Sequence, residues 1–189
     1  MKILAFAATS SRQSINKQLV QAAANMIRKD LEGDAEIEII DLNDFEMPIY
    51  SIDRENEGGI PEKAKLFFDK IGDADALLVS YAEHNGTYTA AFKNVFDWAS
   101  RISVKVFQNK AMVALSASMG PGGAASVLNS ALGSAGFFGA DIRGSLSVGP
   151  FTEKFDSEAG KLTDEGLNQS LREVLAALVE DRSSSEIAA

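Results

Sequence analysis

Five short apolar runs alternate with five stretches of helical periodicity, and this alternation constrains the fold more than any other feature of the chain. Lys2–Ala8 reads as an unbroken apolar run, the pattern of a central strand buried on both faces. Ile15, Leu19, Ala22 and Met26 keep helical spacing and predict an amphipathic helix ending near Gly33. Ala35-Glu36-Ile37-Glu38-Ile39 alternates strictly, so the second strand shows one polar face and lies near an edge. Leu42–Gly59, with Pro48 and the acidic Asp53, Glu55 and Glu57, is expected to be a long loop. A helix then starts at Pro61, carrying Ala64, Phe67, Phe68 and Ile71 on one face. Ala76–Tyr81 is the third strand, and Phe92, Val95, Phe96 and Ala99 mark the core side of a helix that includes Trp98. Lys110–Ser116, Ala124–Gly136 and Ile142–Val148 give a strand, a helix and a fifth strand weakened by Gly144. Leu167, Leu171, Val174, Leu175 and Leu178 form the stripe of a last helix.

Such alternation builds a parallel sheet covered by helices on both faces, and right-handed crossovers leave few topologies. A central first strand and a half-polar second strand favour the order 2-1-3-4-5, a flavodoxin-like α/β three-layer sandwich. One domain is expected over residues 1–182, with residues 183–189 a frayed tail that has nothing to bury. Ligands of these sheets bind outside the carboxyl ends of the strands, which directs attention to the loops after Ala8, Tyr81 and Ser116.

Composition removes several functions. The 189 residues hold 18 Lys+Arg against 27 Asp+Glu, a formal charge of −9, which argues against a nucleic-acid partner recognised through its phosphates. Cysteine is absent, so disulfides, thiolate metal sites and cysteine nucleophiles are excluded, and a cytoplasmic protein is expected. With one histidine and no cysteine, no metal site is expected either. No apolar run approaches the ~20 residues that span a bilayer, so no membrane association is expected. The N-terminus looks superficially like a short signal peptide, but Thr9-Ser10-Ser11-Arg12 follows its apolar stretch at once, and a buried strand is the better reading.

Thr9-Ser10-Ser11-Arg12-Gln13-Ser14-Ile15-Asn16 joins a buried strand to a helix N-terminus and contains no carboxylate. Unpaired N–H groups and the positive end of the helix dipole suit an anion there, and hydroxyls with Arg12 add donors for a phosphate. Ser14 as a plain N-cap accounts for one polar side chain of this series. Neither G-x-x-x-x-G-K-[ST] nor G-x-G-x-x-G occurs, which argues against a P-loop nucleotidase and a standard dinucleotide turn. After the third strand, Asn85-Gly86 is a turn signal that sets backbone donors and acceptors at the strand end, with Tyr81 or Tyr88 as apolar cover. After the fourth, Ser116-Ala117-Ser118-Met119-Gly120-Pro121-Gly122-Gly123 allows close backbone approach to a ligand. Ala124, Ala125 and Ser126 beyond it are small.

Together these loops resemble the NADPH-dependent FMN reductase family, a flavodoxin-like group that includes quinone, azo-dye and chromate reductases. Its phosphate loop is similar to Ala8 through Asn16, and its flavin-ring loop to Ala82-Glu83-His84-Asn85-Gly86-Thr87. Phe92-Lys93-Asn94-Val95-Phe96-Asp97-Trp98 resembles the family's L-K-N-x-x-D-W helix, the most specific part of the match. Asp41-Leu42 through Met47-Pro48-Ile49-Tyr50 resembles its post-strand loop, and Phe155-Asp156 with Leu162-Thr163-Asp164 its stretch before the last helix. Ala82 stands where the family usually has proline, His84 where it has tyrosine, and Ala7 where glycine is common.

The resemblance implies FMN held by Thr9, Ser10, Ser11, Arg12, Ser14, Ile15 and Asn16 at the phosphate. It implies Ala82, Glu83, His84, Asn85, Gly86, Ser116, Ala117, Ser118 and Gly120 around the ring. No catalytic side chain is expected, because the flavin carries the chemistry. His84 is expected to line or flank the ring pocket and modulate the site rather than donate a proton. NADPH or NADH would reduce the flavin in a ping-pong scheme, and a small-molecule acceptor such as flavin, quinone or azo compound would take the electrons. Family habit implies a homodimer or homotetramer, with the acidic loop and Tyr50 as contact candidates. The alternatives are an FMN electron carrier without a nicotinamide site and a module that senses flavin state.

Overall fold

Alternate residues of β1 (Lys2–Ala8) enter two different cores, which is why the whole run is apolar. Leu4, Phe6 and Ala8 join one core, and Ile3, Ala5 and Ala7 the other. The computed structural model describes residues 1–180, so the expected tail at 183–189 lies outside the described residues. After β1 come α1 (Ile15–Met26), β2 (Glu36–Ile40), α2 (Ile52–Gly58), α3 (Glu62–Asp73) and β3 (Ala76–Tyr81). A short hairpin, β4 (Glu83–His84) and β5 (Thr87–Tyr88), leads into α4 (Ala90–Ile102). Then follow β6 (Lys110–Ala117), α5 (Ala125–Ala135), β7 (Ala140–Val148), α6 (Phe151–Lys154), the hairpin β8 (Phe155–Asp156) and β9 (Lys161–Leu162), and α7 (Glu165–Val179).

Five strands form one parallel sheet in the order β2-β1-β3-β6-β7, the flavodoxin-like arrangement expected from the sequence. One core holds Phe67 and Ile71 of α3, Phe92 and Val95 of α4, and Val127 and Leu128 of α5. The other holds Leu19 and Ala23 of α1 with Leu171, Leu175 and Leu178 of α7. Gly144 is required rather than incidental: a Cβ there would stand 2.7 Å from Val174 Cβ, so its absence lets α7 lie close on β7. No helix of the described residues is long and apolar enough to cross a membrane.

The stretch Leu42–Gly59 departs from the expected loop. Leu42–Phe45 is a turn of 3-10 helix, and α2 occupies most of the remainder. Ser51 caps α2 by accepting from Arg54 N–H, and Asp53 and Glu55 sit in the first turn, where acidic groups suit the dipole. None of its residues is buried, so it has no apolar stripe for a periodicity argument to find.

Candidate functional site

At the carboxyl edge of the sheet, the predicted loops are tied to one another by buried side chains. Asn16, 2% exposed, is the central knot. Its Oδ1 accepts from Ser80 Oγ of β3 at 2.7 Å and from Ala117 N–H of β6 at 3.0 Å. Its Nδ2 donates to Ala117 C=O at 3.2 Å. Thr89 Oγ1 donates to Ala8 C=O at 2.9 Å and accepts from Phe92 N–H, so one hydroxyl caps α4 and anchors it to the end of β1. Asn43 Nδ2 reaches Ser10 C=O and joins the loop after β2 to the loop after β1. Burial pushes the Asp41 carboxyl up, but the Lys17 ammonium 2.6 Å away and the Asn43 groups outweigh it and hold it below the usual carboxylate range.

In the loop after β1, hydroxyls accept from the backbone. Thr9 Oγ1 takes Ser11 N–H and Ser14 Oγ takes Asn16 N–H, which leaves both hydroxyl hydrogens available. The backbone N–H groups of Ser10, Arg12, Gln13, Ser14 and Ile15 find no acceptor among the described residues. Ser10, Ser11 and Arg12 are exposed, Ile15 is half-buried, and Arg12 has no carboxylate partner among the described residues. Ser14 therefore caps the helix by accepting from Asn16 N–H and keeps its own hydroxyl hydrogen free.

The hairpin β4–β5 turns at Asn85 and Gly86, whose φ values of 53° and 80° fit the tight turn that Asn-Gly favours. His84 is exposed at its tip, and Ala82 is buried at its base. Glu83 has a task that sequence reasoning missed. Its Oε2 accepts from Val127 N–H at 3.0 Å and serves the first turn of α5, whose own cap position, Ala124, has no polar side chain to offer. The loop after β6 is closed by hydroxyls from both flanking strands and its own Ser118: Ser116 Oγ of β6 and Ser147 Oγ of β7 each donate to Gly123 C=O at 2.7 Å, and Ser118 Oγ to Gly120 C=O. At Gly123, with φ of 58°, a Cβ would collide with Ser147 Oγ. At Gly86 and Gly120 a Cβ would meet nothing within 4 Å, so the backbone there borders open space.

Lys93-Asn94-x-x-Asp97-Trp98 also proves to be a clamp. Asn94 Nδ2 donates to the carbonyls of Met47 and Pro48, its Oδ1 accepts from Tyr50 N–H, and Trp98 Nε1 donates to Pro48 C=O at 2.7 Å. Lys93 and Asp97 pair with each other on the outer face. The strap 46–51 is thereby laid along α4, and Glu55 of α2 is held by Arg101 Nε and Tyr50 Oη. Under the strap is a hollow of about 350 Å³ bordered by Ser10, Asn43, Phe45, Met47, Ile49 and Asn94.

The donor set suits flavin mononucleotide. A phosphate needs N–H and O–H donors and no competing carboxylate, as found between Thr9 and Asn16. A ring edge needs exposed backbone, as found at Gly86 and Gly120. Residues 1–152 match the NADPH-dependent FMN reductase family. Over 184 residues the chain is 34% identical to an NAD(P)H:quinone oxidoreductase of Solanum tuberosum, covering 94% of this chain and 91% of that protein. An NADPH:quinone oxidoreductase of Arabidopsis thaliana is 30% identical over 184 residues, with 94% and 90% covered. In fold, the chain is similar to FerB, a flavoenzyme NAD(P)H:(acceptor) oxidoreductase from Paracoccus denitrificans, with a TM-score of 0.77, 22% identity and 95% of each chain covered. The family match takes in the loop after β1, the hairpin, the strap and its clamp alike, and on it the chain belongs to the NADPH-dependent FMN reductase family.

Proposed function

We propose that the protein is an oxidoreductase that uses bound FMN to pass electrons from NAD(P)H to a small acceptor of the quinone type. The observation that carries this is the carboxylate-free series of unpaired N–H groups at Ser10 and Arg12–Ile15, placed on the positive end of α1. Family membership supplies FMN and NAD(P)H, and the plant quinone oxidoreductases supply the acceptor class.

The chemistry that FMN supplies when bound is the transfer of a hydride equivalent from a reduced nicotinamide to an acceptor. The side chains do other work. Thr9 and Ser14 would turn their free hydroxyl hydrogens toward the phosphate, and Ser10, Ser11, Arg12 and Ile15 would contribute backbone or guanidinium donors. Asn16, Ser116 and Ser118 act through the loops they hold, and Ala117 through the clamp to Asn16. Around the ring, Ala82, Asn85, Gly86 and Gly120 would offer backbone, Glu83 would fix the hairpin to α5, and His84 would lie over the margin without transferring a proton.

A dimer or tetramer belongs to this proposal, supported by Ile49 and Ile52, which the strap and α2 leave 73% and 53% exposed. So does a cytoplasmic location, which cell fractionation would check. The central test is titration of the full chain with FMN, read by flavin fluorescence, followed by NADH and NADPH oxidation with a quinone. Quenching and steady turnover are expected. No quenching would remove the cofactor assignment, and quenching without turnover would favour an electron carrier or a flavin-state sensor.

A further inference from the structure

Between α4 and α5 lies a second cavity, of about 140 Å³, whose lining shares no residue with the hollow under the strap. Tyr81, Tyr88, Phe92, Phe96, Phe107 and Phe138 form its walls. The rings meet at steep angles: Phe96 and Phe138 at 4.7 Å and 89°, Tyr81 and Phe92 at 5.5 Å and 80°. A space of this size, walled by aromatic rings, can hold a molecule larger than water. Apolar cavities of roughly 150 Å³ stay dry and accept benzene.

Of the two phenols in the walls, Tyr88 interacts with Ser134, and Tyr81 has the weaker partner. Tyr81 is 2% exposed, and among the described residues its hydroxyl meets only Met112 Sδ, at 3.9 Å, a weak acceptor. Burial pushes this phenol well up, so it stays protonated and remains a donor. Other polar side chains of the lining are engaged: Lys93 with Asp97, Ser100 with the Asp97 carbonyl, and Ser134 with the Ser130 carbonyl. Lys93 is exposed, so the cavity reaches the surface beside the Lys93–Asp97 pair.

We propose that this cavity is a separate small-molecule site that takes one planar six-membered ring bearing an oxygen acceptor, of the phenol or benzoquinone class, with the Tyr81 hydroxyl donating to that oxygen. The volume matches that of cavities that accept a single benzene ring. Tyr88 belongs to β5, so an occupant would brace the hairpin that turns at Asn85 and Gly86. The site rests on the cavity alone and does not depend on the flavin reading.

The test uses the full chain, with and without FMN, and reads thermal unfolding against phenol, toluene and 2-naphthol. Phenol and toluene should raise the unfolding temperature saturably, and 2-naphthol should not. Ala131→Phe places a ring in the cavity and should abolish both responses while FMN quenching is retained. Should that variant not fold, Ser134→Leu fills the same space from another wall residue and is read in the same way. Tyr81→Phe should weaken phenol by about 5- to 10-fold and leave toluene unchanged, an outcome that loss of packing alone would not give. The proposal is overturned by the absence of a saturable phenol response in the unmodified chain, by an undiminished response in the filled variant, by 2-naphthol binding as well as phenol, or by unchanged phenol affinity in Tyr81→Phe.

Discussion

The loops after β1 and β6 both lie at the carboxyl edge of the sheet, and the hydroxyls in and beside them are used in opposite senses. In the first, Thr9 and Ser14 accept from backbone N–H groups, so their hydrogens remain free. In the second, Ser116, Ser118 and Ser147 donate to the carbonyls of Gly120 and Gly123, so their hydrogens are occupied. One loop is left rich in donors and suits an anion. The other is closed on itself and presents mainly backbone. Hydroxyl content alone does not separate a binding loop from a braced one; the direction of each hydrogen bond does.

The sharpest way to break this contrast is to open the braced loop. In Gly149→Ala, the new Cβ would collide with Gly120 C=O and stand 2.6 Å from Gly123 N, so a loss of at least about 3 kcal/mol of stability is expected in urea unfolding. Asn16→Ala comes next. It strands the Ser80 hydroxyl and both backbone groups of Ala117, for about 3 kcal/mol, and any loss of FMN affinity should follow the loss of folded protein.

Ser14→Ala should show the reverse balance. A lost cap costs about 1 kcal/mol of stability, whereas FMN should bind about 1.5–3 kcal/mol more weakly, measured by fluorescence titration. A larger effect on stability than on FMN affinity would place Ser14 with the braced loop.

The smallest effect is expected from the Lys17–Asp41 pair beneath the first loop. Because the folded Asp41 value is depressed, its stabilisation is complete above the ordinary 3.8 and is lost as pH falls through the lower folded value. The pair is partly exposed, so Asp41→Asn should change stability by less than about 1 kcal/mol at neutral pH and flatten the acid limb of the unfolding curve.

The sheet was legible because burial on both faces forces continuous apolar runs, as in β1, while the one-sided edge strand β2 alternates. The hairpin turn was visible in Asn85-Gly86 because only a few residues tolerate that backbone. By contrast, α2 stayed hidden because it buries nothing and is held by Glu55 and Ser51 instead of an apolar face. Likewise, the sequence around Asn16 gives no sign of the bonds that its side chain makes within the protein. Its actual partners, Ser80 and Ala117, are 64 and 101 residues away. The same distance effect concealed the link from Glu83 to α5. At this edge of the sheet, residue types show where the strands end, and the long-range bonds between loops are not readable from local sequence.

Asn94 and Trp98 grip the strap through the carbonyls of Met47 and Pro48 and the N–H of Tyr50, all main-chain atoms. A grip of that kind is indifferent to the side chains it carries. Met47 adds packing against the core, whereas Ile49, 73% exposed, lies on a segment whose main chain is held independently of that side chain. The path of the strap is thus written largely in its main chain and in two side chains of α4.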